Sequence, residues 1–67
     1  MRTDLEIIAS LVTPRARVMD IGCGEGELLS YLIATKNVDG RGIEISQTNV
    51  STCVAKGLSV IQGDADT

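Results

Sequence analysis

Val18-Met19-Asp20-Ile21-Gly22-Cys23-Gly24-Glu25-Gly26 is the stretch on which the fold of this chain turns. The apolar residues around Asp20 read as a short buried strand, the alternating glycines as a turn, and Glu25 to Glu27 as the opening of a helix. Glycine has no Cβ, so it accepts positive φ without penalty and lets a ligand approach the backbone. A plain strand-to-helix connection needs one or two glycines. Three at alternate positions, straight after an apolar strand, point to a nucleotide-type site beyond the carboxyl ends of parallel strands.

Working outward, the same alternation of strand and helix recurs on both sides. Upstream, Thr3-Asp4-Leu5-Glu6 has the form of a capping box. Leu5, Ile8, Ala9 and Val12 come next at helical spacing, which predicts a first packing helix ending before Pro14. The strand starts near Arg17 and is apolar on both faces, as a central parallel strand should be. Downstream, Leu28, Leu29, Leu32 and Ile33 make one helical face that fades at Lys36-Asn37, and Asp39-Gly40 reads as a turn. Gly42-Ile43-Glu44-Ile45 predicts a second strand, with Ser46 as the N-cap of a third helix bearing Val50, Cys53 and Val54. Gly57 suits the end of that helix. Leu58-Ser59-Val60-Ile61 predicts a third strand running into Gln62-Gly63-Asp64-Ala65-Asp66. The pattern αβαβαβ implies an α/β fold with right-handed crossovers. Its three parallel strands, in the order 3-2-1 and flanked by helices, form one half of a doubly wound, Rossmann-like sheet.

Composition narrows the function. With 67 residues the chain holds at most one small domain, residues 1–67, whose core supplies only about 3–5 kcal/mol net. No apolar run approaches the ~20 residues of a membrane span, and no export segment precedes Asp4. Cys23 and Cys53 lack metal-ligand spacing and the chain has no histidine, which argues against zinc. Reduced thiols and a cytoplasmic location are the expectation. A net charge of −3 without a basic cluster gives no support to nucleic-acid binding.

The spacing also discriminates between nucleotide ligands. A dinucleotide fingerprint, G-x-G-x-x-G/A, ends on a small residue that lets helix and strand approach. Counted from Gly22, that position is Glu27. Asp20 stands where a pyrophosphate would come, and two like charges ~4 Å apart repel by about 4 kcal/mol at an effective dielectric of 20. A ligand carrying sulfonium and ammonium groups has the opposite preference. Glu44 lies 22 residues beyond Gly22, at the end of the second strand, where an acid accepts hydrogen bonds from ribose hydroxyls. Asp64 comes after the third strand on the same edge. It is a candidate acceptor for an adenine amino group, or equally an N-cap for a succeeding helix. Cys23, between glycines, reads as a small filler of the turn, and Cys53 as core; without a histidine base neither suits a nucleophile.

Residues 18–26 resemble the first motif of class I S-adenosylmethionine-dependent methyltransferases, and Gly42-Ile43-Glu44-Ile45 resembles their acidic strand-end motif. Arg2 to Ile8, Gly26 to Leu29, Gly42 to Ser46 and above all Cys53 to Asp66 are similar to the MetW family of methionine biosynthesis proteins. The resemblance implies a methyltransferase-like fold that takes S-adenosylmethionine or S-adenosylhomocysteine. By position it implies that Gly22, Gly24 and Gly26 face the methionine and ribose portions, Asp20 the amino end, Glu44 the ribose diol and Asp64 the adenine. Cys23, Ile45 and Ala65 complete the implied cofactor set.

The same resemblance implies a partner, a MetX-like homoserine O-acyltransferase. It covers the first part of a MetW protein, so the expectation is a partial domain, inactive alone, whose first strand presents an unpaired edge available for self-association. The alternative is a non-catalytic accessory protein that acts on the acyltransferase. A nicotinamide dinucleotide enzyme is disfavoured by Glu27 and Asp20.

Overall fold

Strands β1 (Arg17–Ile21), β2 (Asp39–Glu44) and β3 (Ser59–Gln62) lie side by side and parallel, in the spatial order β1-β2-β3. The computed structural model describes residues 3–64 and 66. Asp20 stands opposite Gly42 and Gly42 opposite Val60, so one row of the sheet runs through all three strands. Each crossover carries a helix: α2 (Glu27–Lys36) between β1 and β2, and α3 (Gln47–Ala55) between β2 and β3. A first helix, α1 (Asp4–Ser10), packs on α2. Two successive right-handed crossovers in the same direction place their helices on one side of the sheet. The order and the alternation are those expected from the sequence.

Local chemistry explains where the helices start and stop. Thr3 Oγ1 accepts the Glu6 N–H at 3.2 Å, and the Glu6 carboxylate accepts the Thr3 N–H in return, a complete capping box. Ser46 caps α3 by accepting the Asn49 N–H at 3.3 Å. Helix α2 ends where Asn37 takes a left-handed conformation, φ 52°, a role in which asparagine is second only to glycine. Its last carbonyl, on Lys36, accepts the Arg15 N–H at 2.8 Å.

Two apolar clusters lie between helices and sheet. Cys23, Leu29, Val50, Cys53 and Val60 fill the space beneath α2 and α3. Ala9, Leu32 and Val38 form the second, with Val12, Val18 and Tyr31 packed against it. Gly42 is required here: a Cβ on it would stand 2.8 Å from Cys23 Sγ and 3.1 Å from both Leu29 and Val60.

Two sequence expectations are corrected. Asp39-Gly40 is no turn but the start of β2, because Asn37 has already reversed the chain, and Gly40 leaves room for Leu29. Strand β1 is apolar on both faces, but among the described residues only one is covered. Met19, Ile21 and Ile61 are more than half exposed on the open face of the sheet. Among the described residues no helix is long and apolar enough to cross a membrane.

Candidate functional site

The glycine turn connects β1 to α2 with Gly22, Gly24 and Gly26 at φ +71°, +58° and +83°. The Gly22 N–H donates to the Ile43 carbonyl at 2.8 Å, carrying the β1–β2 pairing one step past the strand. The Gly26 N–H donates to the Cys23 carbonyl at 3.0 Å and closes the turn. The three glycines divide by environment. Around Gly22 and Gly24 there is open space where a Cβ would be, whereas at Gly26 it would run into Leu58 and Cys53. Backbone open to a ligand therefore lies at Gly22 and Gly24. Gly26 is buried and serves the packing of the turn on α3 and the segment beyond it.

Glu44, the last residue of β2, is 7% exposed, and its carboxylate gathers three donors. Oε1 accepts the Gly24 N–H at 2.9 Å. Oε2 accepts the Ser46 N–H at 2.9 Å and the Asn49 side-chain amide at 3.4 Å. Donation from Ser46 and then Gly24 holds the carboxyl below the usual glutamate range, against the opposing pull of burial. An ionised carboxylate offers about four acceptor positions, so a ligand hydroxyl has one open and a second behind the long Asn49 contact.

Asp20 is half-buried on the helix side of the sheet, level with Gly42. Glu44 is two residues farther along β2, about 7 Å in the strand direction. Among the described residues the Asp20 carboxylate has neither hydrogen bond nor ion pair. Burial without compensation raises its pKa. Cys23 is also buried, and its thiol is pushed up to about 11 by burial, by its hydrogen-bonded neighbour Cys53, and by the charges of Asp20 and Glu44. Such a thiol stays protonated at neutral pH and is a space-filling group, not a nucleophile.

At the carboxyl ends of the strands, Gly22, Ile43, Ile45, Gly63 and Asp64 line a depression of about 210 Å³. It adjoins the glycine turn through Gly22 and brings Ile45 and Asp64 together. Asp64 Oδ1 accepts the Asp66 N–H at 2.9 Å, a local turn contact of the capping kind. Ala65 lies outside the described residues. A larger depression, about 290 Å³, lies on the open sheet face at Met19, Arg41, Ile43 and Ile61, away from the turn. Among the described residues no three acids, cysteines or histidines are grouped as metal ligands.

Sequence reasoning missed the residues that hold this arrangement from behind. Ser46 and Asn49 orient Glu44. The fully buried Cys53 donates its thiol proton to the Gly24 carbonyl at 3.3 Å. Lys56 donates through Nζ to the Glu25 carbonyl at 2.8 Å. For Ser46 the capping pattern was a signal; for Cys53 and Lys56 the contacts span about thirty residues and nothing local announces them.

The profile of the family described as "Methionine biosynthesis protein MetW" matches residues 2–67. A relative from Rhodopirellula baltica, a bifunctional methionine biosynthesis protein MetXA/MetW, is 28% identical over 96% of this chain and 12% of its own length. Among solved structures, an S-adenosylmethionine-dependent methyltransferase from Geobacter sulfurreducens, in complex with S-adenosyl-L-homocysteine, superposes with a TM-score of 0.75. It is 31% identical over 91% of this chain and 28% of its own. A TehB-like methyltransferase from Corynebacterium glutamicum has a TM-score of 0.77 at 21% identity, over 90% of this chain and 33% of its own. The chain thus spans a third or less of the length of these relatives, and the fold it shares with them is Rossmann-like.

Proposed function

The chain belongs to the MetW family, and from that premise we propose that it carries the S-adenosylmethionine-binding portion of a methyltransferase-like protein in methionine biosynthesis. The observation that carries this reading is the closure of Glu44 on Gly24, which puts the acidic strand end and the glycine turn at one point of the sheet edge. The groups present fit the ligand's chemistry. Glu44 retains acceptor capacity for a ribose hydroxyl, the unpartnered Asp20 suits an ammonium group, and Ile45 with Asp64 lines space suited to the adenine. When bound, the cofactor supplies an electrophilic methyl group on sulfur. This chain's own residues bind and orient: Gly22 and Gly24 admit the ligand to the backbone, and Asp20 and Glu44 place negative charge that repels phosphates.

A calorimetric titration with S-adenosylhomocysteine, with NAD as control, tests the proposal. Binding of the thioether nucleoside without NAD is expected; binding of NAD alone would replace this reading with a dinucleotide one.

A second reading is favoured by the relative that joins MetXA and MetW in one chain. In it the protein acts beside a MetX-like homoserine O-acyltransferase, with ligand binding serving that association. Stimulation of such an acyltransferase without any methylated product is its signature, and turnover of a methyl acceptor is the signature of the enzymatic alternative.

A further inference from the structure

Three consecutive peptide groups of the glycine turn are each gripped from behind, and two of those grips come from α3 and its C-cap. The Cys23–Gly24 peptide is held by Glu44 on the Gly24 N–H and by the Gly26 N–H on the Cys23 carbonyl. The Gly24–Glu25 peptide is held at its carbonyl by the buried Cys53 thiol. The Glu25–Gly26 peptide is held at its carbonyl by Lys56 Nζ, 2.8 Å away, and at its N–H by the Cys23 carbonyl. No peptide here is cis, and in a trans peptide the N–H points opposite to the carbonyl. With the Gly24 carbonyl turned toward Cys53, the Glu25 N–H is directed away from α3, and among the described residues it has no acceptor.

Glycine-rich backbone has many conformations to lose on binding, so a turn fixed beforehand binds more tightly than a loose one. The Cys53 grip is inseparable from core packing, because its sulfur also stands 3.0 Å from where a Gly26 Cβ would be. Lys56 is different: it is exposed, lies on the C-cap of α3, and its ammonium group donates to the turn from outside the core. We propose that Lys56 is a positioning residue for the glycine turn, fixing the Glu25–Gly26 peptide from outside the core so that the turn is preformed for its ligand. This rests on the reading of the turn as the S-adenosylmethionine site.

The test compares Lys56→Met, which keeps the aliphatic stem, with Lys56→Arg, which restores a cationic donor. Two readouts are taken on the same chain: exchange of the hydrogen-bonded backbone amides of Gly24 and Gly26 in the free protein, and affinity for S-adenosylhomocysteine. A hydrogen bond from a charged donor at an exposed carbonyl corresponds to about a 3–10-fold effect. Lys56→Met is expected to accelerate exchange at the turn and weaken binding by that factor, with β1 and β2 amides unchanged and Lys56→Arg close to the parent. Unchanged turn exchange in Lys56→Met overturns the proposal, as does acceleration spread evenly over β1 and β2, which marks general destabilisation. If the parent chain takes up no S-adenosylhomocysteine, the cofactor reading fails, while turn exchange still decides the role of Lys56.

Discussion

Glu44 Oε1 lies 2.9 Å from the backbone nitrogen of Gly24, across 20 residues of chain. An acid at the end of the second strand thereby closes on the turn that succeeds the first. The contact joins the two sequence motifs into one site, and it makes Glu44 a structural strut before any ligand arrives. Its second oxygen ties in Ser46 and Asn49 at the start of α3, so one carboxylate holds three segments.

Glu44→Ala is expected to act twice. It removes the proposed acceptor for a ribose hydroxyl, and it leaves the Gly24 and Ser46 N–H groups without their partner. Loss of charge-assisted hydrogen bonds of this kind corresponds to about 30-fold weaker binding of S-adenosylhomocysteine, read by calorimetry. Glu44→Gln, which keeps one acceptor oxygen, should fall between the two in thermal midpoint. Equal affinity in Glu44→Ala and the parent would remove Glu44 from the site.

Acid should loosen the same strut. The Glu44 pKa in the fold is below its ordinary value of 4.5. The stabilisation is therefore complete above the ordinary carboxylate range and is lost as pH falls below about 4.5 through the depressed folded value. Denaturation midpoints in urea between pH 7 and 3 check this. Glu44→Gln should flatten the fall.

Asp20 has the opposite sign. Burial raises its pKa from 3.8, so ionised Asp20 opposes folding once pH exceeds that ordinary value. Asp20→Asn is expected to raise the thermal midpoint at pH 7, with the gain vanishing below about pH 4, where the aspartate is neutral in both states. On the proposed reading, in which Asp20 faces the ligand's ammonium group, the same variant should bind S-adenosylhomocysteine more weakly. A stabilised variant with undiminished affinity would show that Asp20 does not face the ligand.

The glycines of the turn should not be equivalent. Gly24→Ala carries the cost of a left-handed alanine, about 1–2 kcal/mol. Gly26→Ala adds overpacking against Leu58 and Cys53 and should cost about 2–4 kcal/mol in all. Urea unfolding of both variants makes the comparison.

Neither cysteine should react in the native state. Cys53 is fully buried and Cys23 nearly so, and the Cys23 thiol is raised to about 11. Iodoacetamide at pH 7.5 should leave both unmodified by mass spectrometry, and modify both after unfolding in urea. Rapid native labelling of Cys23 would show that the turn opens.

Much of the local backbone at the candidate site was legible because its signals are local. The alternating glycines sit at positive φ, as their spacing after an apolar strand suggested, and Thr3, Glu6 and Ser46 cap their helices as read. Asp39-Gly40 misled because the dipeptide is common in turns, whereas here Gly40 is small to admit Leu29. Strand β1 looked central because its residues are apolar on both faces, but Met19 and Ile21 lie on a face that no helix covers among the described residues.

Periodicity, caps and glycine spacing were enough to establish the order of elements, the parallel sheet and the row of acids at its carboxyl edge, since each depends on neighbours a few residues apart. Tertiary structure alone decided how those acids are used. Glu44 is bound to Gly24 and Ser46 while Asp20 has no partner among the described residues, and Gly26 faces Leu58 and Cys53 while Gly24 faces open space. Cys53 and Lys56 reach the turn from α3 and its C-cap. Those contacts depend on where a crossover helix comes to rest on the sheet, and that is set by packing of residues far apart in the chain.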